Sequence, residues 1–225
     1  MKVAIIKFLG TNCDGDVFHA VELAKGEPEY VWFTEQNLDN FGGAVIPGGF
    51  SYGDHLRAGA ISSKTPVIDS LRKMVNDGKP VLGICNGAQI GLEANFSKGI
   101  LTDNNCAHFI CKWVYIKVEN NETPFTKQYK KGQVLKIPIA HAEGKFYADE
   151  ETVKEMYEKN MVVFKYCDAE GNITEEANPN GSVDNIAGVC NEAGNCVLLM
   201  PHPERASELE LGSNDGLKMF TSMIE

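Results

Sequence analysis

Short buried strands that alternate with helical segments are the feature that most constrains this fold. Runs of apolar residues, most of them β-branched, predict strands that are buried on both faces at residues 3–6, 44–46 and 81–84, with a further strand at 30–33. Apolar residues at helical spacing predict helices at residues 14–25, 66–77 and 86–94. Because such alternation builds a mostly parallel sheet covered by helices on both faces, the chain is predicted to be an α/β protein.

The later part of the chain predicts additional strands. These lie at residues 113–118, 134–139, 162–167, 186–190 and 196–199, with helices at 152–159 and 214–224. The turn sequence "NEAGN" joins the last two strands and predicts a hairpin. The first two of these strands, with the polar stretch "NNETPFTKQYKKG" between them, predict a small β-rich insertion or extension of the sheet. Since no repeat, low-complexity tract or linker interrupts the pattern, residues 1–225 are predicted to form one domain.

Charge, hydropathy and cysteine content restrict the partners and the cellular location that are possible for this chain. The net charge of −10 argues against nucleic acid as a partner, because phosphate backbones require clustered Lys and Arg. No apolar run approaches the ~20 residues that a membrane-spanning helix needs. The seven cysteines are odd in number and irregularly spaced, which predicts free thiols in a reducing cytoplasm.

Cys85 lies where a predicted strand runs directly into a predicted helix, in the stretch "VLGICNGAQIGLEA". A residue at such a turn is held at the carboxyl edge of the sheet, and small neighbours such as Gly83 and Gly87 let strand and helix approach closely. The helix N-terminus favours a thiolate. A buried inert cysteine is the alternative, and taken alone this stretch leaves the two interpretations about equal.

A cysteine nucleophile requires a base for its proton and hydrogen-bond donors that stabilise the oxyanion formed in the reaction. His202 follows a predicted strand in "LLMPHPERA", and Pro203 favours an extended backbone, so that His202 and Glu204 point the same way. Glu204 can then orient the imidazole of His202. The alternative is a surface histidine between two prolines. The N–H of Asn86 and the backbone of "PGGF", at Gly49 or Phe50, are the predicted oxyanion-hole donors.

The sequence predicts neither a metal nor a cofactor in this chain. Cys106, His108 and Cys111 have a spacing that fits no standard zinc site. The phosphate-binding pattern G-x-x-x-x-G-K-[ST] and the dinucleotide-binding pattern G-x-G-x-x-G are both missing. We therefore expect no ATP or dinucleotide site.

Two motifs resemble those of a known enzyme family. "GICNGAQ" resembles the G-x-C-x-G-x-Q signature of class I, triad-type glutamine amidotransferases, and "PHPE" resembles their His-x-Glu pair. Four further stretches, "FLGTNCDGD", "GGFSYGDHLRAGAIS", "VENNETPFT" and "IPIAHAEGKFYAD", resemble the glutaminase subunits of phosphoribosylformylglycinamidine synthases. The resemblance covers the chain nearly from end to end. It departs from the family at Ala142, where Gly is frequent and where alanine adds a methyl group to the pocket backbone.

The resemblance implies a flavodoxin-like three-layer sandwich and a glutaminase. In a glutaminase of this family, the resemblance implies, Cys85 attacks the side-chain amide of glutamine, His202 relays protons and Glu204 orients His202. Gln89, Phe50 and Ser51 are implied as substrate-binding residues. The resemblance also implies that ammonia passes to a synthetase subunit, which uses ATP and magnesium in purine biosynthesis, and that a small bridging protein joins the complex.

Three alternatives stay open from the sequence alone. The chain could be the glutaminase subunit of another biosynthetic amidotransferase. It could be a cysteine-elbow hydrolase of similar fold, although that class typically lacks the His-x-Glu pair after the last strand. It could also be a non-enzymatic subunit that keeps the fold, which the intact set of Cys85, His202 and Glu204 argues against.

Overall fold

The computed structural model describes all residues 1–225 and contains five α-helices and eleven β-strands. The helices are α1 (Asp14–Leu23), α2 (Val67–Asn76), α3 (Asn86–Glu93), α4 (Glu150–Glu158) and α5 (Leu217–Ile224). The strands are β1 (Lys2–Lys7), β2 (Glu27–Trp32), β3 (Gly43–Ile46), β4 (Val81–Ile84), β5 (Ile100–Thr102), β6 (Ile110–Val118), β7 (Val134–His141), β8 (Lys145–Tyr147), β9 (Val162–Cys167), β10 (Ile186–Cys190) and β11 (Cys196–Leu199).

Nine strands form one sheet in the order β2-β1-β3-β4-β11-β10-β9-β6-β7. Strands β2, β1, β3, β4 and β11 pair in parallel. Beyond β11 the pairing is antiparallel, and the predicted hairpin of β10 and β11 is confirmed. The predicted α/β class is confirmed. The β extension joins the main sheet directly and consists of β10, β9, β6 and β7.

The helices cover both faces of the parallel half. The chain moves from β1 to β2 in one direction across the sheet and from β3 to β4 in the other. Because crossover connections are right-handed, α1 and α2 lie on opposite faces. Helix α5 packs beside α1, whereas α3 packs on β3, β4 and β11. The core is one cluster of 57 buried residues, and β4 is buried along its whole length, as expected for a central strand.

Two short strands were not predicted. Strands β5 and β8 pair with each other in a separate antiparallel sheet, with Leu101 opposite Phe146. Each has three residues, which is too few for an alternating pattern to be recognised. The observed ends of several helices differ from the predicted ends by two or three residues. Helix α1, for example, ends before Lys25, which adopts a positive φ of 66°.

The register of the parallel strands brings their carboxyl ends together. Ile46 is aligned with Gly83, and Ile84 is aligned with Leu199. The loops after β3, β4 and β11 therefore leave the sheet side by side, next to the point between β1 and β3 where the strand order reverses. Open α/β sheets bind ligands at this position. None of the helices has both the length and the apolar character needed to cross a membrane.

Candidate active site

Cys85 occupies the turn between β4 and α3 in a strained backbone conformation. Its φ of 50° and ψ of −106° are unfavourable for a side chain with a Cβ atom. The N–H of Cys85 donates to the carbonyl of Leu199 (2.8 Å), so the turn is anchored to β11. The side chain is 4% exposed, and its Sγ lies 3.5 Å from the carbonyl oxygen of Ala140. This geometry places the thiol at the N-terminus of α3, where the helix dipole stabilises negative charge.

The glycines beside Cys85 have the steric role that the sequence predicts. A Cβ atom at Gly83 would lie 2.7 Å from the carbonyl oxygen of Gly87. A Cβ atom at Gly87 would lie 1.9 Å from the carbonyl oxygen of Ile46. Only glycine at both positions allows α3 to lie this close to β3 and β4.

His202 and Glu204 form a buried pair after β11. Nδ1 of His202 lies 2.6 Å from Oε1 of Glu204, and both residues are 1% exposed. The backbone N–H of His202 donates to the carbonyl of Pro138 (2.8 Å), which fixes the start of the short 3₁₀ turn at Pro203–Ala206. Burial disfavours the imidazolium, but the charges of Glu204 and Cys85 outweigh it and raise the pKa of His202 well above its usual range.

The imidazole of His202 and the side chain of Cys85 flank one small space over Gly48. A Cβ atom at Gly48 would lie 2.8 Å from Cε1 of His202 and 3.5 Å from Cβ of Cys85. Nε2 of His202 is buried and has no hydrogen-bond partner, since Nδ1 is the nitrogen that faces Glu204. Nε2 of His202 is therefore unpaired on the side of the ring away from Glu204, and the three predicted residues lie together.

Cys13, which follows β1, borders the same site and was not predicted. The ligand atoms of Cys13, His202 and Glu204 lie within 4.8 Å of one another, in the one such group of three in the chain. A guanidinium N–H of Arg205 donates to Sγ of Cys13 at 3.0 Å. Because this cation already faces the sulfur, the group is a poor metal site, and we assign no metal to it. The predicted absence of a metal stays a prediction.

The two predicted oxyanion-hole donors lie on adjacent loops. Asn86 is the first residue of α3, so its N–H has no partner within the helix. Gly49 lines the cleft beside Cys85 with a φ of 154°. A Cβ atom there would lie 2.7 Å from the carbonyl oxygen of Gly10, so a larger residue does not fit. Their role in binding an oxyanion stays a prediction.

The other predicted substrate-binding residues differ in position. Phe50 and Gln89 line the cleft, whereas Ser51 does not. Ser51 is buried, and its N–H donates to Oδ1 of Asn86 (3.2 Å). The amide of Gln89 accepts from Asn86 (2.9 Å) and donates to the carbonyl of Glu143 (2.7 Å). Gln89 thus ties α3 to the opposite wall of the cleft.

That opposite wall is the end of β7 and the loop after it. Ala140, His141, Ala142 and Glu143 all line the cleft. Ala142, the position of departure from the family, is exposed, and its carbonyl accepts from the backbone of Asn104 (2.9 Å). Ala142 therefore lines the cleft from a solvent-exposed position.

The tautomer of His141 is determined by Asn104. The amide nitrogen of Asn104 donates to the carbonyls of His108 and His141, so its Oδ1 is the acceptor for Nδ1 of His141 (3.0 Å). Nδ1 therefore carries the proton, and Nε2, which is buried without a partner, is an acceptor. Burial, with a smaller contribution from His202, lowers the pKa of His141 to about 4, so the ring is neutral near pH 7.

Comparisons with known proteins agree on one family. The family model of the CobB/CobQ-like glutamine amidotransferase domain matches residues 1–222. The chain is 76% identical over 225 residues to a Methanocaldococcus jannaschii protein named "Phosphoribosylformylglycinamidine synthase subunit PurQ", covering 100% of this chain and 98% of that one. It is 52% identical over 225 residues to the Pyrococcus horikoshii protein of the same name, with the same coverage.

Solved structures agree with the sequence comparisons. The structure described as "Structure of PurLQS from Thermotoga maritima" contains a chain similar to this one, with a TM-score of 0.87 and 41% identity. The match covers 99% of this chain and 97% of that chain. The glutaminase domain of Trypanosoma brucei CTPS with bound acivicin shares the fold, with a TM-score of 0.64 at 12% identity.

Proposed function

The chain belongs to the CobB/CobQ-like glutamine amidotransferase family, and from that premise we propose that it is the glutaminase subunit of a phosphoribosylformylglycinamidine synthase. The observation that carries this proposal is the buried pair of His202 and Glu204 beside Cys85, on the carboxyl ends of adjacent parallel strands. The relatives with the synthase-subunit name are matched over nearly their whole length, which favours this synthase over other biosynthetic amidotransferases.

In the proposed reaction, Cys85 is the nucleophile and His202 is the base. Nε2 of His202 holds the proton of Cys85 as an imidazolium–thiolate pair, which the raised pKa of His202 favours, and the thiolate attacks the γ-amide carbon of glutamine. The N–H groups of Asn86 and Gly49 stabilise the oxygen that becomes negatively charged. His202 then gives its proton to the leaving nitrogen. Ammonia departs and a γ-glutamyl thioester remains on Cys85.

Water completes the reaction at the same residues. His202 takes a proton from a water molecule that attacks the thioester carbonyl, and the thiol leaves with that proton as glutamate is released. Glu204 keeps Nδ1 of His202 protonated and stabilises the imidazolium in both halves of the reaction.

Ammonia is used by a partner in this proposal. The similar Thermotoga maritima chain belongs to a structure of PurLQS, and we infer that this chain works with a synthetase subunit and a small bridging subunit. We place the ATP- and magnesium-dependent step on the synthetase subunit. We also place the chain in the cytoplasm, since its seven cysteines are free.

The proposed function is tested by replacing the nucleophile. In the reconstituted complex, we expect Cys85→Ala to lower the glutamine-dependent rate by more than about 1,000-fold, because the variant lacks the thiol at the β4–α3 turn that forms the thioester in the proposed reaction. The rate with added ammonia should stay within about 2-fold of wild type, since ammonia bypasses the glutaminase site. Cys106→Ala, at an exposed cysteine, is the matched control and should retain both rates. Retained use of glutamine by Cys85→Ala would exclude the proposed role.

A further inference from the structure

Arg205 is a cation beside the buried pair of His202 and Glu204. It follows Glu204 directly in the short 3₁₀ turn at Pro203–Ala206. Nε of Arg205 lies 3.9 Å from Oε1 of Glu204, the oxygen that faces His202. Oε2 of Glu204 is buried and has no hydrogen-bond partner. Apart from His202, Arg205 is therefore the only basic side chain with a nitrogen within 4.0 Å of this carboxylate.

Two residues at the start of α1 hold the guanidinium of Arg205 in this position. One of its N–H groups donates to Sγ of Cys13 (3.0 Å), and its Nε lies 3.6 Å from Oδ2 of Asp16. The thiol of Cys13 is buried and donates to Oδ1 of Asn12 (3.3 Å), so the sulfur is itself held in place. The side chain of Arg205 is 37% exposed, so water screens its charge only in part. The contacts with α1 thus keep a cation near Glu204.

The lysines of the other elements packed against the turn face away from Glu204. Strand β7 and helix α5 both pack on the turn. Nζ of Lys136, on β7, lies 5.0 Å from the centre of the Trp113 ring. Nζ of Lys218, on α5, lies 5.9 Å from the centre of the Tyr129 ring. Neither lysine can take the place of Arg205.

The remaining titratable groups near the pair are negative or neutral. Cys85 faces His202 from the turn before α3, and its negative charge favours the imidazolium. His141 comes from the end of β7. Burial, with a smaller contribution from His202, lowers the pKa of His141 to about 4, so this ring is neutral near pH 7. The other paired ionisable residues of α1 have partners elsewhere, Asp14 with Lys7 and His19 with Glu208.

The charge balance of the pair changes during the proposed reaction. While His202 is an imidazolium, Glu204 has a cationic partner at Nδ1. Once His202 has given its proton to the leaving nitrogen, the carboxylate of Glu204 lies buried beside a neutral ring. A buried charge without a partner is unfavourable. Arg205 is the cation that remains beside Glu204 at this stage.

We propose that Arg205 is a positioning residue that balances the charge of Glu204 while His202 is neutral in the thioester intermediate. The assignment rests on the proposed function, because it takes the thioester on Cys85 as the intermediate. Water adds to the thioester carbonyl carbon, and its proton goes to Nε2 of His202. The carbon–sulfur bond then breaks as that proton passes to the sulfur. Because Arg205 competes with the imidazolium for Glu204, it keeps His202 neutral and available as the base.

The test is the substitution Arg205→Gln in the reconstituted complex. The complex is loaded with glutamine and diluted into buffers of different pH, and loss of the γ-glutamyl group from Cys85 is followed by mass spectrometry. Without the guanidinium, Glu204 stabilises the imidazolium of His202 more strongly. We expect the acid limb of the decay rate to move to higher pH by about 0.5 to 1 unit, because His202 is protonated over a wider range.

Three further variants separate charge from structure. Arg205→Lys should keep the limb within about 0.2 unit of wild type, since lysine places its Nζ where arginine has its guanidinium carbon. Asp16→Asn removes a negative charge beside Arg205 and should move the limb to lower pH. Lys73→Gln removes an exposed cation of α2 that pairs with Asp39, and it is the matched control that should leave the limb in place.

A purely structural role predicts a different result. Decay that is slowed equally at every pH in Arg205→Gln, or a limb that Arg205→Lys does not restore, would overturn the assignment. If Arg205→Gln does not fold, Asp16→Asn decides, because an unmoved limb or a shift to higher pH contradicts the role of Arg205. A wild-type complex that forms no γ-glutamyl group on Cys85 would reject the proposed function itself. Normal acylation with an unmoved limb in Arg205→Gln would reject only the role of Arg205.

Discussion

Glu204 controls the protonation of His202, and this effect can be isolated with one substitution. Glu204→Gln keeps the shape of the side chain but removes its charge. We expect the glutamine-dependent kcat to fall by about 100- to 10,000-fold, because the imidazolium loses its stabilising partner. The pKa of His202 should fall, since the charge of Glu204 is the larger of the two charges that raise it against the effect of burial.

Both effects are measurable on the same variant. The rate is measured in the complex with glutamine and with ammonia, and the His202 titration is followed by NMR of the imidazole. Glu192→Gln, at an exposed glutamate, is the control and should change neither quantity. A kcat within 2-fold of wild type, or an unchanged His202 titration, would contradict the role of Glu204.

Site residues that lie in recognisable motifs could be predicted from the sequence, whereas residues at the site that lie outside such motifs could not. Cys85 is marked by its glycines, and His202 is marked by the strand before it and by Glu204. Cys13 and Asp54 carry no local pattern, because strands and loops that are distant in sequence bring them next to the site. The stretches "TNCDGD" and "AHAEG" resemble the family, but only the packing of β1 and β7 shows what their side chains contact.

The junction of β4 and α3 is an element whose packing depends on Gly87. A methyl group at this position would lie 1.9 Å from the carbonyl oxygen of Ile46, so β3 or α3 must move. We expect Gly87→Ala to lower the free energy of unfolding by about 1 to 3 kcal/mol or more. Denaturant unfolding, followed by circular dichroism, measures the change.

Gly15 in α1 is the matched control for Gly87. A Cβ atom at Gly15 meets nothing within 4 Å, so Gly15→Ala adds no clash. It should raise the free energy of unfolding by roughly 0.5 to 1 kcal/mol, because alanine loses less backbone entropy in a helix. A neutral Gly87→Ala variant would mean that the strand and helix are not packed as tightly as the structure indicates.

Elements with a strong local pattern are predictable in this chain. Strands β4, β9, β10 and β11 have the predicted bounds, because each is an apolar run of four to six residues between turn signals. The three-residue strands β5 and β8 form only by pairing with each other. Neither has a sequence pattern from which a strand could be predicted. Helix ends shift by a few residues, since they depend on backbone conformation at single positions such as Lys25.

At the scale of the whole molecule, strand order creates the site. Strands β3, β4 and β11 are neighbours, although more than 100 residues separate β4 from β11 along the chain. Alternating strands and helices predict the parallel half of the sheet. The order β10-β9-β6-β7 in the other half could not be predicted, because it is set by pairings between distant segments that leave no local mark. The active site therefore depends on the long-range topology, even though its motifs are local.

Acylation of Cys85 by glutamine is the step on which the proposed function depends, and mass spectrometry of the protein tests it most directly. The assembled complex is mixed with glutamine, quenched in acid within a turnover and digested. We predict a γ-glutamyl group on the peptide that contains Cys85, at higher occupancy than on any other cysteine peptide, and none in Cys85→Ala. Glutamine turnover with no acyl group on Cys85, or with the acyl group on another cysteine, would contradict the proposed mechanism.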